Sequence, residues 1–429
     1  MQVLTDKFDH YKTVFGDLYI AGRINQEISK ISSSLDNGIF PKDIRGNFAL
    51  IYISPVVNCF AVDHFATIPL FYTKNTVGTY FKDVLDTLQS PTSNEFIQKV
   101  IRLHGGYNLG AETNVCEIKR VEPCTYIWNG TVHTYIDIFE SGHQEFDKEK
   151  SINILKTAVE RCTDTDNAIF LSGGKDSSTL LGCMLNWNYN VDTVSLYSRH
   201  QMYSEKKIVE RLDQAYGTKT NFVETEYSGK ILDDDNDQFF SFWIENPFGS
   251  KRYAVDQLGW RHKTFITGEG GPLVFNHKMP LTYALQQGTI EDYCRLLVID
   301  AMWNHQISSP NADYIDDKNK DVLEFMTEHY VKTFKEFDTD VEITNRLIHL
   351  QTVDTCCFRN FAYSQDKHIK WSHPYFDWDF VSYVCGLDAT YKTNKNLYKQ
   401  AYGDFISLIP WEYPKNGLSI PTKNKHRSS

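Results

Sequence analysis

The stretch Ser172-Gly173-Gly174-Lys175-Asp176-Ser177-Ser178 follows the apolar run Ala168-Ile169-Phe170-Leu171 and leads into a second apolar-patterned segment, Ser178 to Trp187. A strand, a glycine turn and a helix in immediate succession commit this region to a β-loop-α unit. Paired glycines let the backbone approach an anion closely, the serines add hydroxyl donors, and the first helical turn aims free N–H groups at the same point. The loop therefore reads as a pyrophosphate cradle, with Ser172, Gly173, Gly174, Asp176 and Ser177 as its contacts. An aspartate among phosphates calls for a divalent cation between them, which makes Asp176 a Mg²⁺ ligand. The plainer alternative is a glycine turn with a capping serine or aspartate, and it accounts for fewer of these residues. The Walker pattern Gly-x-x-x-x-Gly-Lys-Ser/Thr is absent.

At 429 residues, 41% hydrophobic and 14% aromatic, the chain can fill two or three cores. A net charge of −11 opposes broad adhesion to nucleic acid or anionic lipid. The nine cysteines are scattered and form no Cys-x-x-Cys pair, as suits a reducing compartment. No apolar run approaches a membrane span, and the first residues lack a basic segment followed by an apolar one. The expectation is a cytoplasmic protein with neither membrane nor nucleic-acid partners.

The strand-like runs Asn47 to Ile53, Cys59 to Val62 and Ile68 to Tyr72, separated by turn residues, suggest an α+β or sandwich-like domain over residues 1–140. Asn129-Gly130 marks a turn within it, and the polar stretch Ser141 to Lys150 is the linker candidate. Over residues 151–429 the pattern alternates between strand and helix. One helix, Ser204 to Tyr216, sets Ile208, Val209 and Leu212 on a single face, with Gly217 placed to stop it. The strand Lys263 to Thr267 then enters a second glycine-rich loop, Gly268-Glu269-Gly270-Gly271. Such alternation predicts an α/β domain with a doubly wound parallel sheet, both loops emerging at the carboxyl ends of its strands. Residues 300–365 read as mostly helical.

The first loop resembles the Ser-Gly-Gly-x-Asp-Ser signature of ATP pyrophosphatases, which cleave ATP between its α and β phosphates. Thr267-Gly268-Glu269-Gly270-Gly271 resembles the Ser-Gly-Glu-Gly-Ala-Asp-Glu loop of asparagine synthetases, and Pro374-Tyr375-Phe376-Asp377 resembles their Pro-Phe-Leu-Asp. Ile409-Pro410 followed by Lys415-Asn416-Gly417-Leu418-Ser419-Ile420-Pro421 is similar to their Leu-Pro…Lys-x-Gly-Phe-x-x-Pro, with Lys395 at the place of the other late lysine. Arg45 to Leu50 and Asp63 to Tyr72 resemble the glutaminase-domain pattern of the same family. The resemblance implies an N-terminal Ntn-hydrolase-like domain and a C-terminal ATP-pyrophosphatase domain, with ATP and Mg²⁺ as cofactors. It implies that a small carboxylate is adenylated and then amidated by ammonia or another amine, releasing AMP and pyrophosphate. Gly268 would join the nucleotide contacts, Lys415 would neutralise phosphate charge, Lys395 would assist on the pyrophosphate, and Glu269 would meet the amine or take its proton.

Three departures from the family pattern carry consequences. Gln2 stands where family glutaminases have their nucleophilic cysteine, Cys59 falls in a strand-like run that suits burial, and the segment before Arg45 is short for the family's opening strands. These point to a shortened scaffold without glutamine hydrolysis. Pro272-Leu273 replaces the family's Asp-Glu, which takes one carboxylate from the metal site; either another group substitutes, for instance from the run Asp233-Asp234-Asp235, or the metal is held through ATP and Asp176 alone. Lys370 and Ser372 stand where the family has Glu and Arg. The leading expectation is an ATP-dependent amide ligase for an aspartate-like acid. Amide formation on a specialised substrate, in the manner of β-lactam synthetases or cyclases, and a nucleotide-binding protein without turnover stay open, as does a homodimer.

Overall fold

The computed structural model describes residues 1–5, 7–103, 110–135, 143–197, 205–224, 249–271, 291, 294, 320–334, 369–392 and 395–412. Its N-terminal part is built on two sheets. Strands β1 (Gln2–Val3), β2 (Asp9–Lys12) and β3 (Asp17–Ile24) precede helix α1 (Ile28–Asp36), so the segment before Arg45 holds three strands and a helix. Then come β4 (Gly46–Ile53), β5 (Asn58–Val62), β6 (Phe71–Tyr72), β7 (Thr76–Gly78), α2 (Phe81–Leu85), α3 (Glu95–Leu103), β8 (Lys119–Arg120), β9 (Thr125–Trp128) and β10 (Thr131–Thr134). The larger sheet runs β10-β9-β5-β4-β3-β2, antiparallel throughout, and the smaller one runs β1-β7-β6-β8. The expected strand over Ile68 to Tyr72 is confined to Phe71 and Tyr72. Pro69 has no N–H to give a ladder, which accounts for the late start.

Strand alternation sorts the core into layers. Along β4, Ala49 and Ile51 pack with Phe60, Val62 and Ile127 against Leu70, Val77 and Val121 of the smaller sheet's side. The intervening Phe48, Leu50 and Tyr52 face Ile31 and Leu35 of α1. Phe71, on the smaller sheet, meets Phe81 and Val84 of α2. Helix, sheet, sheet and helix are thus stacked in four layers. Asn129 and Gly130 both adopt positive φ, +49° and +85°, as a two-residue hairpin between β9 and β10 requires.

The C-terminal part opens on α4 (Lys148–Cys162), which starts inside the expected linker because Asp147 caps it, accepting from Lys150 N at 2.9 Å. Strands β11 (Asn167–Phe170), β12 (Val191–Tyr197) and β13 (Asn221–Glu224) alternate with α5 (Lys175–Asn186) and α6 (Lys206–Tyr216), the latter ended by Gly217 at φ +69°. Helix α7 (Gly249–Leu258), β14 (Thr264–Ile266), α8 (Lys320–Phe334) and β15 (Lys370–Ser372) follow. Last come α9 (Trp378–Gly386), α10 (Ala389–Lys392), α11 (Asn396–Tyr402) and α12 (Ile409–Glu412).

The sheet order is β13-β12-β11-β14-β15, every pair parallel. One face packs Ile169 and Ile266 on Leu155, Leu180, Met184 and Phe380, and the other packs Ala168, Val194 and Phe265 on Ala254 and Val255 of α7. Fully burying a single such side chain is worth about 1.5–3 kcal/mol, and residues covered on both faces explain why β11 and β14 read as apolar runs rather than alternating ones. Among the described residues no helix is long and apolar enough to cross a membrane.

The two parts meet at named contacts. Arg23 donates to the carbonyls of Arg161 and Thr163 and pairs with Asp164 at 2.9 Å. His64 stacks on Trp378 with ring centroids 4.0 Å apart, and Phe65 packs against Phe376. Buried Asp63 orders the intervening loop by accepting from the backbone of Phe48, Phe65 and Thr67 and from the Thr67 hydroxyl. Burial nonetheless pushes its carboxyl up to about 6.

Candidate active site

The chain builds β11, β12 and β13 outward in one direction, then returns to place β14 on the other side of β11. That reversal opens a crevice at the carboxyl ends of β11 and β14, the position where doubly wound sheets bind ligands. The register pairs Asn167 with Thr264 and Ile169 with Ile266, so both glycine-rich loops leave the sheet at the same level.

Helix α5 begins at Lys175, three residues earlier than the apolar pattern indicates. Its N-cap is Gly174, which has no side chain to cap the first turn, so the helix N-terminus presents backbone N–H groups rather than a capping side chain. Gly173 turns the chain at φ +68°, where an added Cβ would also lie 3.2 Å from the Ile208 side chain. The Ser172 and Ser177 hydroxyls lie 3.4 Å apart, whereas Ser178 and Thr179 turn inward to the carbonyls of Gly174 and Lys175.

The second loop lies directly against the first. A Cβ on Gly268 would sit 2.8 Å from Ser177 N, and one on Gly271 would sit 2.5 Å from Asp176 Oδ1. Gly270, at φ +89°, passes over the Phe376 ring and the Tyr375 Cβ, which an added Cβ would meet at 3.0 and 3.2 Å. Glu269 is half-buried at the tip, its N–H donating to Thr267 Oγ1 at 3.3 Å. Thr267 Oγ1 also lies 2.6 Å from His373 Nδ1, just beyond β15. Burial holds that imidazole down to about 4, against the attraction of Glu269, so it is a neutral ring at ordinary pH.

Asp176 is gripped from α11. Lys395 forms an ion pair with Oδ1, with both side chains largely enclosed at 13% and 15% exposure. Tyr398 donates to the same oxygen at 2.8 Å, and Tyr375 donates to the Asp176 carbonyl at 3.2 Å. Burial raises both phenols well above their ordinary value, keeping them as donors. Lys395 itself caps α11 from the left-handed region, at φ +58°.

Ser172, Gly173, Gly174, Asp176, Ser177, Gly268 and Lys395 are therefore brought together, with Glu269 one residue further along the second loop. Lys415, Pro272, Leu273, the run Asp233 to Asp235 and Gly417 to Pro421 lie outside the described residues. Among the described residues no three acidic, histidine or cysteine side chains gather as a metal cluster. Asp377, read as part of a family signature, caps α9 and takes the Arg161 guanidinium at 2.9 Å. Tyr398 and His373 belong to no motif in the sequence, and Tyr375 enters only through the Pro374 to Asp377 resemblance; for Tyr398 the available signal is its place after Lys395 at the i,i+3 spacing of a helix turn.

A cavity of about 500 Å³ lies between the two parts, bordered by Arg23, Asn47, Thr67, Arg161, Trp371 and His373. Its cations are largely matched by carboxylates: Asp164 serves Arg23 and Lys370, and Asp377 and Asp379 serve Arg161.

No curated protein matches the chain. Among solved structures it is similar to the U34-tRNA thiolase NcsA of Methanococcus maripaludis, determined with its iron–sulfur cluster. The identity is 13%, over 47% of this chain and 85% of that one. The TM-score of 0.23 is too low to carry a likeness of fold. The family model for asparagine synthase matches residues 152–425, which spans the parallel sheet, both glycine loops and α11. The chain belongs to the asparagine synthase family, whose chemistry is ATP-dependent carbon–nitrogen bond formation.

Proposed function

We propose that this protein is an ATP-dependent amide ligase that adenylates a small, aspartate-like carboxylate and transfers the acyl group to ammonia or another amine. The observation that carries the reading is the direct contact of the two glycine loops at the sheet's switch point, with Asp176 and Lys395 between them. The N-terminus of α5, without a capping side chain, the Ser172 and Ser177 hydroxyls and the absence of side chains at Gly173 and Gly174 fit the phosphates of ATP. A single carboxylate, Asp176, fits Mg²⁺ bound chiefly through those phosphates, since that ion takes one or two protein carboxylates and keeps its other positions for phosphate and water. Bound there, the ion would neutralise phosphate charge. Lys395 offers a cation to the pyrophosphate, and half-buried Glu269 is placed to accept a proton from the amine. Lys415 is proposed as a further cation on the phosphates.

The nitrogen is proposed to arrive as free ammonia or an amine rather than from glutamine. Cys59 is fully enclosed in β5, where burial pushes its thiol up and removes nucleophilic character, and Cys124 is buried as well. The four-layer N-terminal part supports an Ntn-hydrolase-like scaffold in a docking role.

One observation favours a second reading, nucleotide binding without turnover: Asp176 Oδ1 is already committed to Lys395 and Tyr398. Product analysis across a panel of small carboxylic acids, with ammonium present, separates the two. AMP and pyrophosphate formed with a particular acid support the ligase. ATP binding with no product from any acid supports the binder, and ADP with phosphate would contradict both the loop assignment and the ligase.

A further inference from the structure

Tyr398 is fully buried on α11, one turn beyond Lys395, and its hydroxyl bonds the carboxylate oxygen that Lys395 pairs with. A buried hydroxyl is costly unless it is satisfied, so a phenol where phenylalanine would fill the same space is explained by its partner. The Tyr398 hydroxyl also engages that of Tyr375. The Tyr398 ring lies 6.0 Å from Tyr375 and 6.4 Å from Tyr402, and a Cβ on Gly271 would come within 2.7 Å of the hydroxyl. Lys395, by contrast, sits on a long flexible stem whose ammonium will be drawn toward any polyphosphate in the crevice. Were it to move, Asp176 Oδ1 would lose one of the two donors it has among the described residues.

We propose that Tyr398 is a positioning residue: it holds Asp176 Oδ1 in place as Lys395 is drawn from that oxygen to a bound polyphosphate, so that the carboxylate stays oriented for the divalent cation it would hold. Lys395 and Tyr398 thereby divide two tasks, with the ammonium mobile between carboxylate and phosphate and the phenol fixed. This rests on the ATP-site reading given above.

Tyr398→Phe removes one oxygen and keeps the core filled. Tyr402→Phe is the control, because Tyr402 is equally buried but donates to Ser151 O at 3.1 Å, away from Asp176. Calorimetric binding of ATP with and without Mg²⁺, together with thermal unfolding of the free protein, reads the effect. Tyr398→Phe is expected to weaken Mg²⁺-dependent ATP binding about tenfold, as for loss of one hydrogen bond to a charged group, while metal-free ATP binds as in the wild type. Tyr402→Phe should leave both unchanged. Wild-type ATP binding that Tyr398→Phe leaves intact, or an equal loss in both variants, would overturn the proposal alone. A wild type that binds no ATP would overturn the site reading and the proposal with it.

Discussion

Lys395 is the residue at which backbone and chemistry conflict. A lysine at φ +58° costs about 1 kcal/mol more than a glycine would, yet this conformation delivers its ammonium to Asp176. The two contributions can be separated. Lys395→Ala and Lys395→Gly both remove the charge, but only the glycine relieves the strain. Denaturant unfolding should therefore find Lys395→Gly more stable than Lys395→Ala by about 1 kcal/mol, the reverse of the usual order of these residues near a helix. Equal stabilities, or a more stable alanine variant, would mean that the left-handed conformation is not held in solution.

At the scale of elements, the site is a matter of two loops touching. Gly271 packs on Asp176 and Tyr398, so Gly271→Ala must push the second loop off the first. The expected cost is about 1–3 kcal/mol in unfolding free energy, with ATP affinity reduced at least about tenfold. Stability and affinity both unchanged would show that the loops lie further apart than described.

The same elements show what a sequence makes legible. Both glycine loops, the Gly217 helix stop and the Asn129-Gly130 turn can be read directly, because each depends on backbone conformations that few residues adopt. The limits of β6 and the start of α4 differ from those the sequence suggests, because a proline in a β-rich run and a capping aspartate in a polar stretch shift boundaries without changing the general pattern. Tyr398 reaches Asp176 across 222 residues of chain, and His373 reaches Thr267 across 106. No local rule encodes such meetings. They follow from the sheet order that lays β14 beside β11 and brings β15 and α11 over the loops.

For the whole molecule, the contact between its two parts depends on aromatic stacking as much as on charge. Trp378 carries His64 on its face and the Arg45 guanidinium 5.5 Å from the ring centre, while Arg23 reaches the carbonyls at the end of α4. Stacking and cation–π contacts of this kind contribute about 0.5–2 kcal/mol each when partly shielded from water. Trp378→Ala should weaken the junction by about 2 kcal/mol and separate a low-temperature transition from the main one in calorimetry. A single transition at the wild-type temperature would show that the junction is held elsewhere.

The central claim is that the β11–β14 crevice adenylates a carboxylate. Its most direct test is isotope exchange between pyrophosphate and ATP, measured with each of a panel of carboxylic acids for the wild type and for Asp176→Asn. Adenylation is reversible, so exchange is expected only with the cognate acid and with Mg²⁺, falling by on the order of a hundredfold in Asp176→Asn. Exchange undiminished in Asp176→Asn would contradict the assigned site, and no exchange with any acid in a wild type that binds ATP would contradict the ligase.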